Sequence, residues 1–302
     1  MHPLTTELAR SGATLPLAAG SGPRAASPPG AALTRHRGLL ARRVDALQAQ
    51  GRYVLTDRDL GDLPISRVAT THALGRLVVS GRLSRVGRRR GLWLIVPPEY
   101  QTAGGPPAEW VLHDVMEALG VPYYLALRSA AAQFGATHHA VQTVQVVVGR
   151  RIEPLRLGRV QVRLTVRAGA SAVPTVRLPG QVAPLLCSSP EATALDLVRY
   201  MGQAGGLSTV AGVLAQMRTR LTRHGMRSAL GALDDTANAQ RLGHLLDLVA
   251  AREAARACAA WLADRPHRAV ALEHGAGASP SSGAARDERW KLIINAVPDL
   301  SL

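Results

Sequence analysis

The stretch of residues 66–98 restricts the possible folds more than any other part of the chain. Pro64 and Ser66 open a segment, residues 67–80, in which Val68, Leu74, Leu77 and Val78 fit one face of a helix. Gly81 stops it. Residues 83–86 and 92–96 then read as two short strands, and the loop between them, 87–91, carries Arg88, Arg89 and Arg90. Upstream, Thr34 is placed to cap a helix that runs to Gln50, with Leu39, Leu40, Val44 and Leu47 at helical spacing and Gly51 as its stop. Residues 53–55 form a short extended piece, after which Thr56 or Asp57 caps a brief helix containing Leu60 and Leu63. Helix, strand, helix, helix and a basic-tipped hairpin, in that order, make a winged helix-turn-helix.

In such a module the third helix presents its N-terminal half to base edges. Here that leaves Arg67, Thr70, Thr71, His72 and Arg76 for the outer face, while Arg88, Arg89 and Arg90 on the wing can enter a minor groove or clamp phosphate. Charge agrees. Residues 34–100 hold thirteen arginines against five acids (Asp45, Asp57, Asp59, Asp62, Glu99), a net of +8. The whole chain carries +15. Its placement counts for more than its total, because Lys291 is the only lysine among 36 basic residues. Such a skew, with abundant Ala and Gly, is what GC-rich coding produces. The competing reading is a solvated basic face on a protein-binding module; element order, local charge and wing arginines together favour double-stranded DNA.

With 302 residues, 47% of them apolar, the chain suits two domains with real cores. Aromatics make up only 3%, so those cores are built from Leu, Val and Ala. Residues 1–33, rich in Ala, Gly, Ser and Pro, read as a disordered leader. Residues 34–100 form the DNA-binding domain. Pro97-Pro98 and Gly104-Gly105-Pro106-Pro107 then mark a linker, and residues 108–302 form the larger domain. Cys187 and Cys258 are the only cysteines and have no CxxC spacing, which fits a reduced, cytoplasmic protein. No apolar run reaches the length of a membrane span.

The larger domain opens with a helix over 109–119 and a strand over 123–127, and Ser129 is placed to cap a short helix ending near Gly135. Residues 141–148 and 160–166 alternate as strands, the second with Gln161, Arg163 and Thr165 on its other face. Ser188-x-x-Glu191 reads as a capping box with Pro190 in the first turn of a helix over 192–201. Further helices are expected at 208–220, 227–233, 238–251 and 252–263, and a final strand at 290–295. Strands first and helices after give an α+β class, a winged helix-turn-helix followed by a mixed domain with a small sheet.

Catalytic chemistry finds little support. A Mg²⁺-dependent endonuclease would pair well with a DNA-binding module, and Asp287-Glu288-Arg289-Trp290-Lys291 holds acids and the lysine. Yet Glu288 and Lys291 are three apart, and a strand puts residues two apart on one face. Glu191 and Asp196 diverge on one helix, and the adjacent His138 and His139 have no partner at ligand spacing. His113 beside Asp114 is isolated. No motif for a phosphate loop, zinc protease or serine nucleophile occurs, so no cofactor and no enzyme are expected. A ligand sensor coupled to the DNA-binding half stays open as a third reading.

Four segments taken in order resemble one family. They are residues 123–131 (YYLALRSAA) with the strand 142–148, the helix start 189–198 (SPEATALDLV) and the closing 290–295 (WKLIIN). They are similar to AbiEi-type antitoxins of type IV toxin–antitoxin systems. The resemblance implies a repressor that binds operator repeats of its own operon through the winged domain. It implies also a C-terminal domain opposing an AbiEii-type nucleotidyltransferase toxin, with no stable complex between the two.

Overall fold

The computed structural model describes residues 38–88, 90–136, 143–178, 184–273 and 285–300. The leader 1–33, the Thr34 cap, Arg89, His138 and His139 lie outside the described residues. Helix α1 (Leu39–Ala49) buries Leu40, Val44 and Leu47, three positions at helical spacing. After strand β1 (Val54–Thr56), the backbone N–H and the hydroxyl of Thr56 both donate to Asp59 Oδ2, at 2.9 and 2.7 Å, and fix the start of α2 (Asp57–Gly61). Leu63 falls beyond that helix. Helix α3 (Arg67–Val79) begins where Ser66 Oγ accepts the Ala69 N–H at 3.2 Å.

Strands β2 (Leu83–Arg85) and β3 (Leu92–Ile95) form the hairpin, and β1 pairs with the other edge of β3, so the antiparallel sheet runs β1-β3-β2. These elements fit a winged helix-turn-helix. The sheet is covered on both faces. Leu55, Leu83 and Ile95 pack on Val44 and Leu47, with Leu74, Leu77 and Val78 of α3 against them. Val54, Leu92 and Leu94 point the other way, into a core shared with α4 (Ala108–Ala118). Val68 departs from the expected apolar face. It is 67% exposed and packs in no core cluster, because nine residues at about 100° each put it on the side of α3 opposite Leu77.

A six-stranded sheet divides the rest. Its order is β6 (Leu155–Leu157), β7 (Val160–Val166), β5 (Thr143–Val148), β4 (Tyr123–Leu125), β9 (Leu185–Ser188) and β8 (Thr175–Leu178). Only β5·β7 and β4·β9 are parallel. Tyr123, Leu125, Val144, Val146 and Val148 face the α4 side, whereas Tyr124 and Val147 face a helical layer. Thr165 is accordingly not an outward residue: it is buried toward that layer and donates to Gln203 Oε1 at 2.7 Å. Ser129 is not a cap either. Helix α5 (Leu127–Gln133) starts two residues earlier, at a Leu127 with φ +53°, and the Ser129 hydroxyl accepts the Gln145 N–H at 3.0 Å.

The helical layer comprises α6 (Pro190–Arg199), α7 (Met201–Ala204), α8 (Leu207–Met217), α9 (Arg223–Leu233), α10 (Thr236–Leu248) and α11 (Arg252–Ala263). The expected Ser188–Glu191 box does not form. Ser188 ends β9 and spends its hydroxyl on Leu125 O and Thr193, so Ser189 becomes the cap and accepts the Ala192 N–H at 3.2 Å. Glu191 instead reaches the N-terminus of α9, where its Oε1 accepts from the N–H and hydroxyl of Thr222 at 2.9 and 2.8 Å. A last sheet, ordered β10 (Val270–Ala271), β12 (Leu292–Ile294), β11 (Ala285–Asp287), closes the fold over α10. Trp290 precedes β12 and is buried against Gly243. The architecture is α+β.

Candidate nucleic-acid interface

The arginines of the N-terminal half divide into two groups. Arg43 donates to Asp59 O at 3.0 Å and lies 3.6 Å from Asp62; Arg52 pairs with Asp59 at 2.9 Å; Arg82 pairs with Asp45. Arg43 and Arg52 tie α1 and the segment after it to α2 and the residue that follows it, and Arg82, between α3 and β2, ties back to α1. Burial pushes the Asp59 carboxyl up, but the two Thr56 hydrogen bonds and Arg52 outweigh it and hold the group below its ordinary value. The second group, Arg42, Arg58, Arg67, Arg76, Arg85, Arg88 and Arg90, is exposed and makes no ion pair among the described residues. Arg42 lies on α1 and Arg58 on α2, and the other five lie on α3 and the hairpin.

The sequence-derived contacts lie as follows. Arg67, Thr71, His72 and Arg76 are exposed on α3, while Thr70 is half-buried toward the core. The hydroxyls of Thr70 and Thr71 donate back to Ser66 O and Arg67 O, both at 3.0 Å, so their donors are already used and only their acceptor lone pairs remain. Arg88 and Arg90 are exposed at the wing. The wing is anchored where the Asp57 N–H donates to Gly91 O at 3.2 Å, and Gly91 has φ +76° with the Asp57 carboxylate against its α-carbon. Any Cβ there would overlap that carboxylate. The tip and α2 are thus positioned together.

Arg52, Arg58 and Arg90 line a cleft of about 880 Å³ together with Asp114 and Glu117 of α4. Burial pushes the Asp114 carboxyl up, with Glu117 adding to it and His113 opposing it. His113 Nδ1 lies 3.0 Å from the Tyr123 hydroxyl.

The acidic segment weighed for nuclease chemistry is occupied otherwise. Asp287 Oδ2 lies 2.7 Å from His244 Nδ1, and its Oδ1 accepts the Trp290 N–H at 3.2 Å. Asp247 accepts from Arg289 at 2.9 Å and from the Trp290 indole at 2.8 Å. Glu288 is exposed in the turn. Among the described residues no group of three or more His, Cys, Asp or Glu side chains is placed to hold a metal ion, and no helix is long and apolar enough to cross a membrane. Sequence patterning named Asp196 but did not show that it is fully buried. It accepts from Arg167 at 2.8 Å and from the Tyr124 hydroxyl at 2.9 Å with no exposure to solvent.

Residues 124–248, from β4 to the end of α10, match the family model of the AbiEi antitoxin C-terminal domain. Among solved structures the chain is similar to the RV2827C protein from Mycobacterium tuberculosis. The two share 17% identity over 83% of this chain and 89% of that one, with a TM-score of 0.57, a likeness of fold. No curated protein matches the sequence.

Proposed function

We propose that this chain, whose residues 124–248 match the AbiEi antitoxin C-terminal domain, is a cytoplasmic antitoxin that represses its own operon and opposes an AbiEii-type nucleotidyltransferase toxin. In this reading residues 34–100 bind double-stranded operator DNA through α3 and the wing, residues 108–302 carry the antitoxin activity, and no cofactor or catalytic step is involved. One observation carries the DNA half: most of the exposed arginines without acid partners, Arg67, Arg76, Arg85, Arg88 and Arg90, lie on the helix and hairpin that a winged helix-turn-helix lays on a duplex. The match to the antitoxin domain supports the other half. Opposition to the toxin through its effect, rather than by a stable complex, follows from the family resemblance.

The test is a titration of the purified protein against DNA from upstream of its own gene and against an unrelated duplex, at two salt concentrations and without Mg²⁺. Preference for the upstream fragment that persists at the higher salt is the expected result. Equal binding to both, erased by salt, would identify counterion release alone and overturn the repressor reading.

A further inference from the structure

The outer face of α3 is apolar along its centre. Val68, His72, Gly75 and Val79 follow one another at helical spacing and form its most outward stripe: Val68 is 67% and Val79 90% exposed, His72 and Gly75 are exposed, and nothing lies within 4 Å of where a Gly75 Cβ would be. Ala69 is exposed beside them. Thr71 turns its hydroxyl back on Arg67 O and so presents its methyl group. Arg67 and Arg76 flank the stripe, and α3 contains no Asn, Gln, Asp or Glu. It therefore lacks the amide side chains that pair bidentately with adenine and the carboxylates that accept from cytosine, and keeps arginines suited to guanine edges and apolar groups suited to the thymine C5-methyl.

We propose that α3 reads its operator through thymine methyl groups, with Val68 the principal contact and Ala69 and the Thr71 methyl beside it, between guanine or phosphate contacts made by Arg67 and Arg76. The inference rests on the DNA-binding reading above and specifies its chemistry. Charge complementarity selects the occupant. A second protein would meet an apolar strip bordered by unpaired arginines, whereas the thymine methyl in the major groove is an apolar group set among phosphates and acceptors. Position along the helix agrees, because Val68 lies in the first turn, the end a recognition helix pushes deepest.

Replacing thymine by uracil removes that methyl and leaves the pairing edge unchanged. The upstream fragment is prepared with deoxythymidine or with deoxyuridine throughout, and each form is titrated with wild type and with Val68→Ser, a change at an exposed position that leaves the core intact. Wild type should bind the uracil form about fourfold more weakly for each methyl covered. Val68→Ser should bind the thymine form more weakly than wild type does and discriminate less between the two, with an unchanged salt slope.

Equal affinity of wild type for both forms, with preference over the unrelated duplex intact, would overturn the methyl contact and leave the repressor standing. Equal discrimination by Val68→Ser and wild type would remove Val68 from that contact. Absence of any preference for the upstream fragment would take down both readings.

Discussion

Asp196 offers a prediction in which two opposing effects can be weighed. On α6 its carboxyl has no contact with solvent, and it accepts from Arg167 at 2.8 Å and from the Tyr124 hydroxyl at 2.9 Å. Burial penalises the carboxylate, whereas the guanidinium and the hydroxyl favour it. Burial prevails and pushes the group from 3.8 up to about 6. A carboxyl with a raised folded pKa holds its proton more tightly in the folded state. Its contribution to stability is therefore fully present below the unfolded value and is lost as pH rises through about 6. The shift of about two units corresponds to roughly 3 kcal/mol, a sizeable share of the roughly 5–15 kcal/mol that a domain commands. Asp196→Asn removes the titration while keeping the shape. Urea denaturation of both proteins from about pH 4 to about pH 7.5 should show the advantage of wild type over Asn falling by roughly 3 kcal/mol and levelling above about pH 6.5. An advantage that grew with pH would mean that Arg167 holds the carboxyl below its ordinary value. That result, or a flat difference, would refute the reasoning.

Changing Arg88, Arg89 and Arg90 together to Ala should weaken binding to all duplexes alike and flatten the salt slope by up to about 0.9 for each phosphate that the wing no longer neutralises; an unchanged slope would remove the wing from the interface. Gly243→Ala places a methyl group into the buried Trp290 ring, which β12 and α10 hold from both sides. Overpacking of this kind costs about 1–3 kcal/mol, so thermal unfolding should come several degrees lower. An unaltered midpoint would show that the C-terminal sheet moves aside freely.

Local pattern made some elements legible and left others hidden. The spacing of Leu40, Val44 and Leu47, the stop at Gly51 and the hairpin about residues 87–91 all rest on neighbours in sequence, and the structure keeps them. Strands β6, β8 and β9 have only three or four residues each, too few for alternation to register; β6 and β8 pair with the strands that follow them, β7 and β9, while β9 takes its place in the sheet from β4, far back along the chain. Thr165 shows a second limit. Along β7 Gln161 and Arg163 face outward as alternation expects, but the helical layer reaches the end of the strand and covers Thr165 on the same face through Gln203. The cap at α6 moved by one residue for a comparable reason: Ser188 was claimed by Leu125 O and Thr193, partners that no local spacing records.

At the interface the same distinction separates charge from shape. Thirteen arginines mark residues 34–100 as basic, but only the structure divides those that neutralise Asp45, Asp59 and Asp62 from those that face outward on α3 and the wing. Periodicity misassigned Val68 because α3 carries apolar residues on both sides: Leu74, Leu77 and Val78 lie against the core, whereas Val68 and Val79 lie away from it. A helix that met only its own core would bury all five, and one that met only water would have no use for the outer two. Val68 and Val79 blur the helical pattern on the face bordered by unpaired arginines. On the proposed reading, the position where the helical pattern breaks is also the one that a DNA groove would cover, and the two features would then have one cause.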